Sequence, residues 1–337
     1  MHNRPESLRH TLMALLCRLV TPLLAGLLLC LNAQAQDCPP PPQQPTQAEL
    51  TQLASHAQDR GFLWAINKGG VTSYLYGTLH VQKLDWLVPG PRLRKAMQSA
   101  KMLALELDLS DPDVLNQIRT PPAEDADRSF VISTSLRARL YARMKAECVD
   151  PPTASASQTS QAQEPQQSLT TQLAVLDLLQ ARRDGLEAAF GSEMMLASLA
   201  HAQDKPIHSL ETVSEQLHAL EPRSQAEFTA LFKQGLDDLD SGKARRVMNR
   251  MATAWSTNNA DTLLHYKDWC ECVETDADRA QLKRVFDDRN LLLAARIDAL
   301  HAQHGPLLVG IGALHMFGPA GLPNLLRKRG FKVTRVF

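Results

Sequence analysis

Leu307-Leu308-Val309-Gly310-Ile311-Gly312-Ala313-Leu314-His315 is an apolar run that ends in Gly-x-x-His. Tyr74-Leu75-Tyr76-Gly77-Thr78-Leu79-His80 repeats the design near the other end of the chain. Each reads as a buried strand followed by a loop, a proline (Pro89 or Pro91; Pro319 or Pro323), a basic helix and another strand, so the two ends look like copies of one unit. With 16 Gly and 11 His in the chain, two such matches mean little as a count, and their common placement after an apolar run carries the signal. In an open α/β sheet, ligands bind beyond the carboxyl ends of the strands, where His80 and His315 would both sit. Gly77 and Gly312 let the backbone turn there and let another group approach closely. A dinucleotide fingerprint at Gly310-x-Gly312 is excluded, because His315 takes the third glycine position and no acidic residue follows about 20 residues on.

Working outward, Phe62 to Ile66 and Val71 to Tyr76 flank Lys68-Gly69-Gly70 and predict a hairpin. Pro91 to Ala100 predicts a helix and Met102 to Leu107 a buried strand. Apolar residues recur at three and four from Leu169 to Ala202, broken by Gly185 and Gly191, which predicts paired helices. Ile207 to Leu210 is a short strand. Val213 to Leu220, Gln225 to Asp240, Ala244 to Trp255, Ala260 to Tyr266 and Arg279 to His301 are helical by pattern. Pro306 to Ile311, Leu322 to Arg329 and Phe331 to Val336 then read as strand, helix and closing strand. The expected fold class is α/β, with a sheet built from both chain ends and a long helical insertion between them.

Glu106 ends the otherwise apolar stretch Leu103-Ala104-Leu105-Glu106-Leu107. A charge there must be paired, metal-bound or at a solvated strand end. Two neutral imidazoles and one carboxylate form a ligand set for Mn, Co, Fe or Zn, with positions left open for water and substrate. Such an ion lowers the pKa of bound water and polarises a carbonyl.

The chain has 337 residues, with 36 Lys+Arg against 36 Asp+Glu, and this balance gives no reason to expect a nucleic-acid partner. Arg4, Arg9 and Arg18, the apolar run Leu19 to Leu31 and Ala33-Gln34-Ala35 follow the order of a signal peptide over residues 1–35. Lipid attachment at Cys30 is disfavoured by the bulk of Leu29. Cleavage removes three Arg and one Glu, which takes the net charge from +0 to −2. No later apolar run is long enough to span a bilayer, so the expected product is exported, periplasmic or secreted. Residues 36–47 form a Pro/Gln-rich linker, the domain covers 48–337, and the Ala/Ser/Gln/Thr/Pro tract 151–168 reads as a disordered insertion. Cys17 and Cys30 leave with the signal. Cys38, Cys148, Cys270 and Cys272 then support up to two disulfides, with three connectivities open. Cys270-Glu271-Cys272 lacks the second cysteine pair of a zinc site, which favours structural bonding.

Taken together, Gly77-Thr78-Leu79-His80, Glu106 and Gly312-Ala313-Leu314-His315 resemble the hallmarks of the TraB/GumN family, which includes the Tiki metalloproteases. Asp184-Gly185-Leu186-Glu187, the segment Lys205-Pro206-Ile207-His208-Ser209-Leu210-Glu211-Thr212 with Gln216, Arg289-Asn290 and the tail from Val309 to Val336 extend the likeness from about residue 60 to 337. Glu187 stands where Asp is commoner. The resemblance implies an α/β fold related to the erythromycin-esterase and ChaN type, and a metal-dependent hydrolase, with peptidase activity as in the Tiki branch. On that basis His80, His315 and Glu106 are expected to hold a divalent metal (Mn, Co or Zn), with Glu106 as ligand or as the base that activates water. Arg289 is a candidate for stabilising an oxyanion, or else a structural ion pair. Glu211 is a candidate for orienting a histidine, or else a carboxylate at a helix N-terminus. The expected partner is a peptide or protein substrate. The alternative is a non-catalytic protein that binds metal or haem, or sequesters a peptide signal.

Overall fold

In a computed structural model, which describes residues 38–119, 130–150 and 168–337, the hairpin forms from β1 (Phe62–Lys68) and β2 (Val71–Thr78). Phe62 pairs with Gly77 and Lys68 with Val71. Gly69 and Gly70 both take positive φ, +62° and +80°, as a two-residue turn with the twist of its strands requires. The chain divides into two units, Met1–Cys38 and Pro39–Phe337. The first is described only at Cys38, and the architecture here is that of the second.

The other strands are β3 (Met102–Leu105), β4 (Ile207–Ser209), β5 (Leu307–Gly312) and β6 (Lys332–Arg335). They form one mixed six-stranded sheet in the order β4-β3-β5-β2-β1-β6. β4, β3, β5 and β2 run parallel, while β1 pairs antiparallel with β2 and with β6. Leu307 to Ile311 is buried at every residue, as a parallel strand covered on both faces should be. The sheet therefore does draw on both chain ends, with β5 inserted between β2 and β3.

Helices cover the sheet and build a second core. Leu103, Leu105, Leu196, Leu293, Ile297 and Leu308 belong to the main cluster. Leu140, Leu176, Phe228, Phe232 and Leu236 form a separate one among the helices Thr134–Ala146, Leu169–Leu179 and Gln225–Asp240. Trp255 joins the helical region to the sheet, donating its indole N–H to the Gly77 carbonyl at 2.8 Å.

Several expectations are corrected in detail. The third strand stops at Leu105, so Glu106 lies just beyond it. Thr46 caps a further helix, Gln47–Ser55, through a capping box. The helices Pro112–Arg119 and Thr134–Ala146 have no counterpart in the pattern reading. The late helix begins at Asp276 behind a Thr275 cap, and passes through a π-helical stretch, Lys283–Asp288, before Arg289–His304. Of the tract 151–168, residues 151–167 lie outside the described residues, as do 1–35. Ser168 is buried, caps the helix Leu169–Leu179, and bonds Glu221.

All four cysteines among the described residues are oxidised. Cys270 bonds Cys272, and Cys38 and Cys148 are disulfide-bonded as well. The Cys-x-Cys pair is thus closed on itself as a structural bond. No helix among the described residues is long and apolar enough to cross a membrane.

Candidate functional site

Four adjacent parallel strands end at one edge of the sheet, and each delivers a residue singled out above. Thr78 pairs with Gly312 and Leu105 with Gly310, so the exits of β2, β5 and β3 lie side by side. The pairing of β3 with β4 continues past the strands: Leu210 donates its N–H to the Leu105 carbonyl and Glu211 to the Glu106 carbonyl. The order along the edge is therefore Glu211, Glu106, His315, His80. The two Gly-x-x-His motifs are one residue out of register, because Gly77 faces Ile311.

Each imidazole has an oxygen beside Nδ1, in a hydrogen bond at His315 and in an ion-pair contact at His80. His315 is buried in a short 3-10 turn, with Nδ1 2.7 Å from Asn290 Oδ1. The Asn290 amide donates to the carbonyls of His315 and Ala320, which orients its oxygen towards the ring and makes Nδ1 the donor. Phe286, from the π-helical stretch, meets the ring edge-to-face at 5.1 Å. His80 lies in the loop after β2 with 58% of its side chain exposed, and its Nδ1 stands 2.9 Å from Glu193 Oε1. At that distance from a carboxylate only a protonated Nδ1 is favourable. Nε2 is then the remaining nitrogen of each ring, and that of His315 faces Arg289.

Arg289 occupies the centre. Its Nε and Nη2 grip Glu211 as a fork at 3.0 and 2.5 Å, and Nη2 also reaches Glu106 Oε2 at 2.7 Å. Its Nη1 approaches His315 Nε2 at 3.4 Å. Gln216 donates to Glu106 at 3.1 Å and to Glu211 at 3.3 Å. Glu106 Oε1 accepts the Gly312 N–H at 2.7 Å, and a Cβ on Gly312 would lie only 3.3 Å from that oxygen.

The electrostatics follow from these contacts. Burial would raise the Glu106 carboxyl, but His315, Arg289, His80 and the Gly312 N–H outweigh it and hold it at about 2. Glu193 raises the His80 imidazole well above its ordinary range, against the opposing pull of burial. Burial drives His315 the other way, down to about 4. His80 and His315 both act on Glu106, so the three groups share one field.

The TraB/PrgY/gumN family model matches residues 62–335. The chain belongs to this family. The matched span reaches from the first strand to the last, so it takes in every residue of the cluster. Among curated proteins, the chain is similar to "Uncharacterized protein YbaP" of Shigella flexneri, 26% identical over 268 residues, 77% of this chain and 89% of that one. YbaP of Escherichia coli (strain K12) is also 26% identical, over 75% of this chain and 87% of its own length. No solved structure matches the chain.

Set beside its family motifs, the site gathers His80, Glu106, His315, Arg289 and Glu211, with Gly77 and Gly312 at the strand ends. Glu211 bonds Arg289 and Gln216, and the groups on the two imidazoles are Glu193 and Asn290. The carboxylate on His80 is thus Glu193, while Glu187 pairs with Arg182 at 3.3 Å. Glu193 follows Gly191-Ser192 and stands at the head of Met194-Met195-Leu196, a weaker signal than that of Glu106 between Leu105 and Leu107. Asn290 stood in plain view beside Arg289.

As metal donors, the neutral His315 ring and a carboxylate with a spare acceptor position on Oε1 fit in kind, while His80, which Glu193 holds protonated, would have to release its Nε2 proton to an incoming ion. Three carboxylates, Glu106, Glu193 and Glu211, share the Arg289 guanidinium and the His80 imidazolium that Glu193 favours. Among the described residues no three His, Cys, Asp or Glu side chains stand close enough to hold a metal together. Arg289 takes the place on Glu106 that an ion would share.

Proposed function

We propose that this chain is an exported, metal-dependent hydrolase acting on peptides, with an erythromycin-esterase/ChaN-like sheet as its frame. The observation that supports the reading is the delivery of His80, His315 and Glu106 to one edge of the sheet by adjacent parallel strand ends. Oxidised cysteines support an oxidising, exported setting. His80, His315 and Glu106 would hold Mn, Co or Zn, which supplies a Lewis acid for the scissile carbonyl and a nucleophilic hydroxide near neutral pH.

The protein groups divide the remaining work. Glu106, ionised down to about 2, is available as a ligand, and as a proton acceptor it is a weak one near neutral pH. Arg289 is anchored on Glu211, and its Nη1, 3.3 Å from the Val285 carbonyl and 3.4 Å from His315 Nε2, would turn from these to meet negative charge that develops on a substrate oxygen. Gln216 bridges the two carboxylates and limits their rotation.

The test is hydrolysis of a peptide library by the purified full chain with added Mn or Co, its loss with chelator, and metal analysis of the same sample. Changing His80 or His315 to Ala should each lower metal affinity sharply, and the double variant should cost far less than the sum. Metal content and hydrolysis intact in both single variants would show that no shared site exists. Metal or haem binding without turnover would make the protein a binder.

A further inference from the structure

We infer that Gly191-Ser192-Glu193 is the positioning element of His80, holding the loop backbone and the imidazole together so that Nε2 faces the reacting group. This rests on the hydrolase reading and deepens it by naming what sets the exposed histidine.

Three consecutive residues act on two. Ser192 donates both its N–H, at 2.9 Å, and its hydroxyl, at 3.0 Å, to the Leu79 carbonyl, while its Oγ accepts the Leu79 N–H at 2.5 Å. Gly191 lies against the next peptide, where an added Cβ would sit 2.5 Å from the His80 carbonyl oxygen. Glu193 then sets its Oε1 2.9 Å from Nδ1.

Glu193 is only 7% exposed, a costly place for a carboxylate unless it is used. It lies in the first turn of the helix Ser192–His201, where the dipole favours negative charge. Its partner is a ring more than half in solvent, which adds little to the core. His315 also has an oxygen beside Nδ1, there in a hydrogen bond with Asn290 from an unrelated helix. Orienting groups of this kind, when removed from a histidine in a functional site, cost about 10- to 100-fold in affinity or activity.

The test compares Glu193→Ala, Glu193→Gln and Ser192→Ala in the full chain. Nitrogen-15 NMR of the neutral His80 ring, at alkaline pH, reads which nitrogen carries the proton and needs no turnover. Wild type should hold the proton on Nδ1, Glu193→Ala should move it largely to Nε2, and Glu193→Gln, which keeps an acceptor oxygen, should restore Nδ1. In the hydrolysis assay Glu193→Ala should lose about 10- to 100-fold in kcat with KM little changed, and Gln should recover part of it. Ser192→Ala leaves Glu193 in place and keeps the proposal open to test if Glu193→Ala does not fold. It should speed exchange of the Leu79 amide at least tenfold. An unchanged tautomer in Glu193→Ala, or unchanged Leu79 exchange in Ser192→Ala, overturns the proposal. A moved proton in a protein that hydrolyses nothing would keep the positioning element and remove the hydrolase.

Discussion

Arg289 and Glu106 meet through a nitrogen that Glu211 also uses: Nη2 lies 2.7 Å from Glu106 Oε2 and 2.5 Å from Glu211 Oε2. One guanidinium thereby neutralises two buried carboxylates delivered by neighbouring strands. The arrangement makes Arg289 at once a structural tie and the group that any metal must contend with.

Removing that cation should be severe. Arg289→Ala leaves Glu106 and Glu211 buried side by side without their counter-charge, and a loss of about 3–5 kcal/mol is expected. Arg289→Lys keeps the charge and loses the fork, so it should fall between. Urea unfolding of the two variants beside wild type checks the order. Equal stability of Arg289→Ala and wild type would show that the tie contributes nothing.

Glu106→Gln tests both the fold and the chemistry. Its amide can present an oxygen to the Gly312 N–H, but then an NH2 faces the Arg289 donor, and roughly 1–3 kcal/mol should be lost. If Glu106 is the base, metal stays and turnover falls; if it is a ligand, both fall together. Metal analysis and a peptide assay on one preparation separate the cases.

A pH dependence is expected far from this cluster. Burial first, then the Asp238 carboxylate, pushes the Asp177 carboxyl up from 3.8 to about 7, and its Oδ1 has no partner among the described residues. The folded state thus holds the proton more tightly than the unfolded chain. Stability from this group is full below pH 3.8 and is lost as pH rises through about 7. Asp177→Asn should remove that slope, matching wild type in acid and exceeding it at pH 8. Tm against pH for both proteins checks it, and parallel curves would refute it.

Trp255→Phe should cost about 1–3 kcal/mol, because the Gly77 carbonyl loses its indole donor at a buried position. The loss should show in thermal unfolding. It would weaken the seam between the helical region and the end of β2.

The sheet was legible because parallel strands buried on both faces are written as unbroken apolar runs, which is why Leu307 to Ile311 and Leu103 to Leu105 stood out. Gly-x-x-His after such a run then located the edge. Thr134–Ala146 stayed hidden because its basic residues are interleaved with its few buried ones, Leu140 and Met144. The π-helical stretch before Arg289 leaves no mark in a 3.6-residue pattern. The partners of the imidazoles were harder still. Glu193 is separated from His80 by the whole third strand and several helices, so only the folded chain sets them together.

Inserting β5 between β2 and β3 has a consequence for the order in which the molecule is made. Tyr74 waits for Leu308, and Leu103 waits for the same residue on its other side. A chain emerging from its N-terminal end can close the β1–β2 hairpin and pack its helices early, but the middle of its sheet stays an open slot. His80 and Glu106 meet His315 only when that slot is filled. A chain cut before β5 would keep two exposed parallel edges, which invite pairing with other chains. Late closure of a long-range sheet is also slow. The cluster is therefore completed last, by the segment synthesised last among its contributors, and an unfinished copy lacks its second histidine.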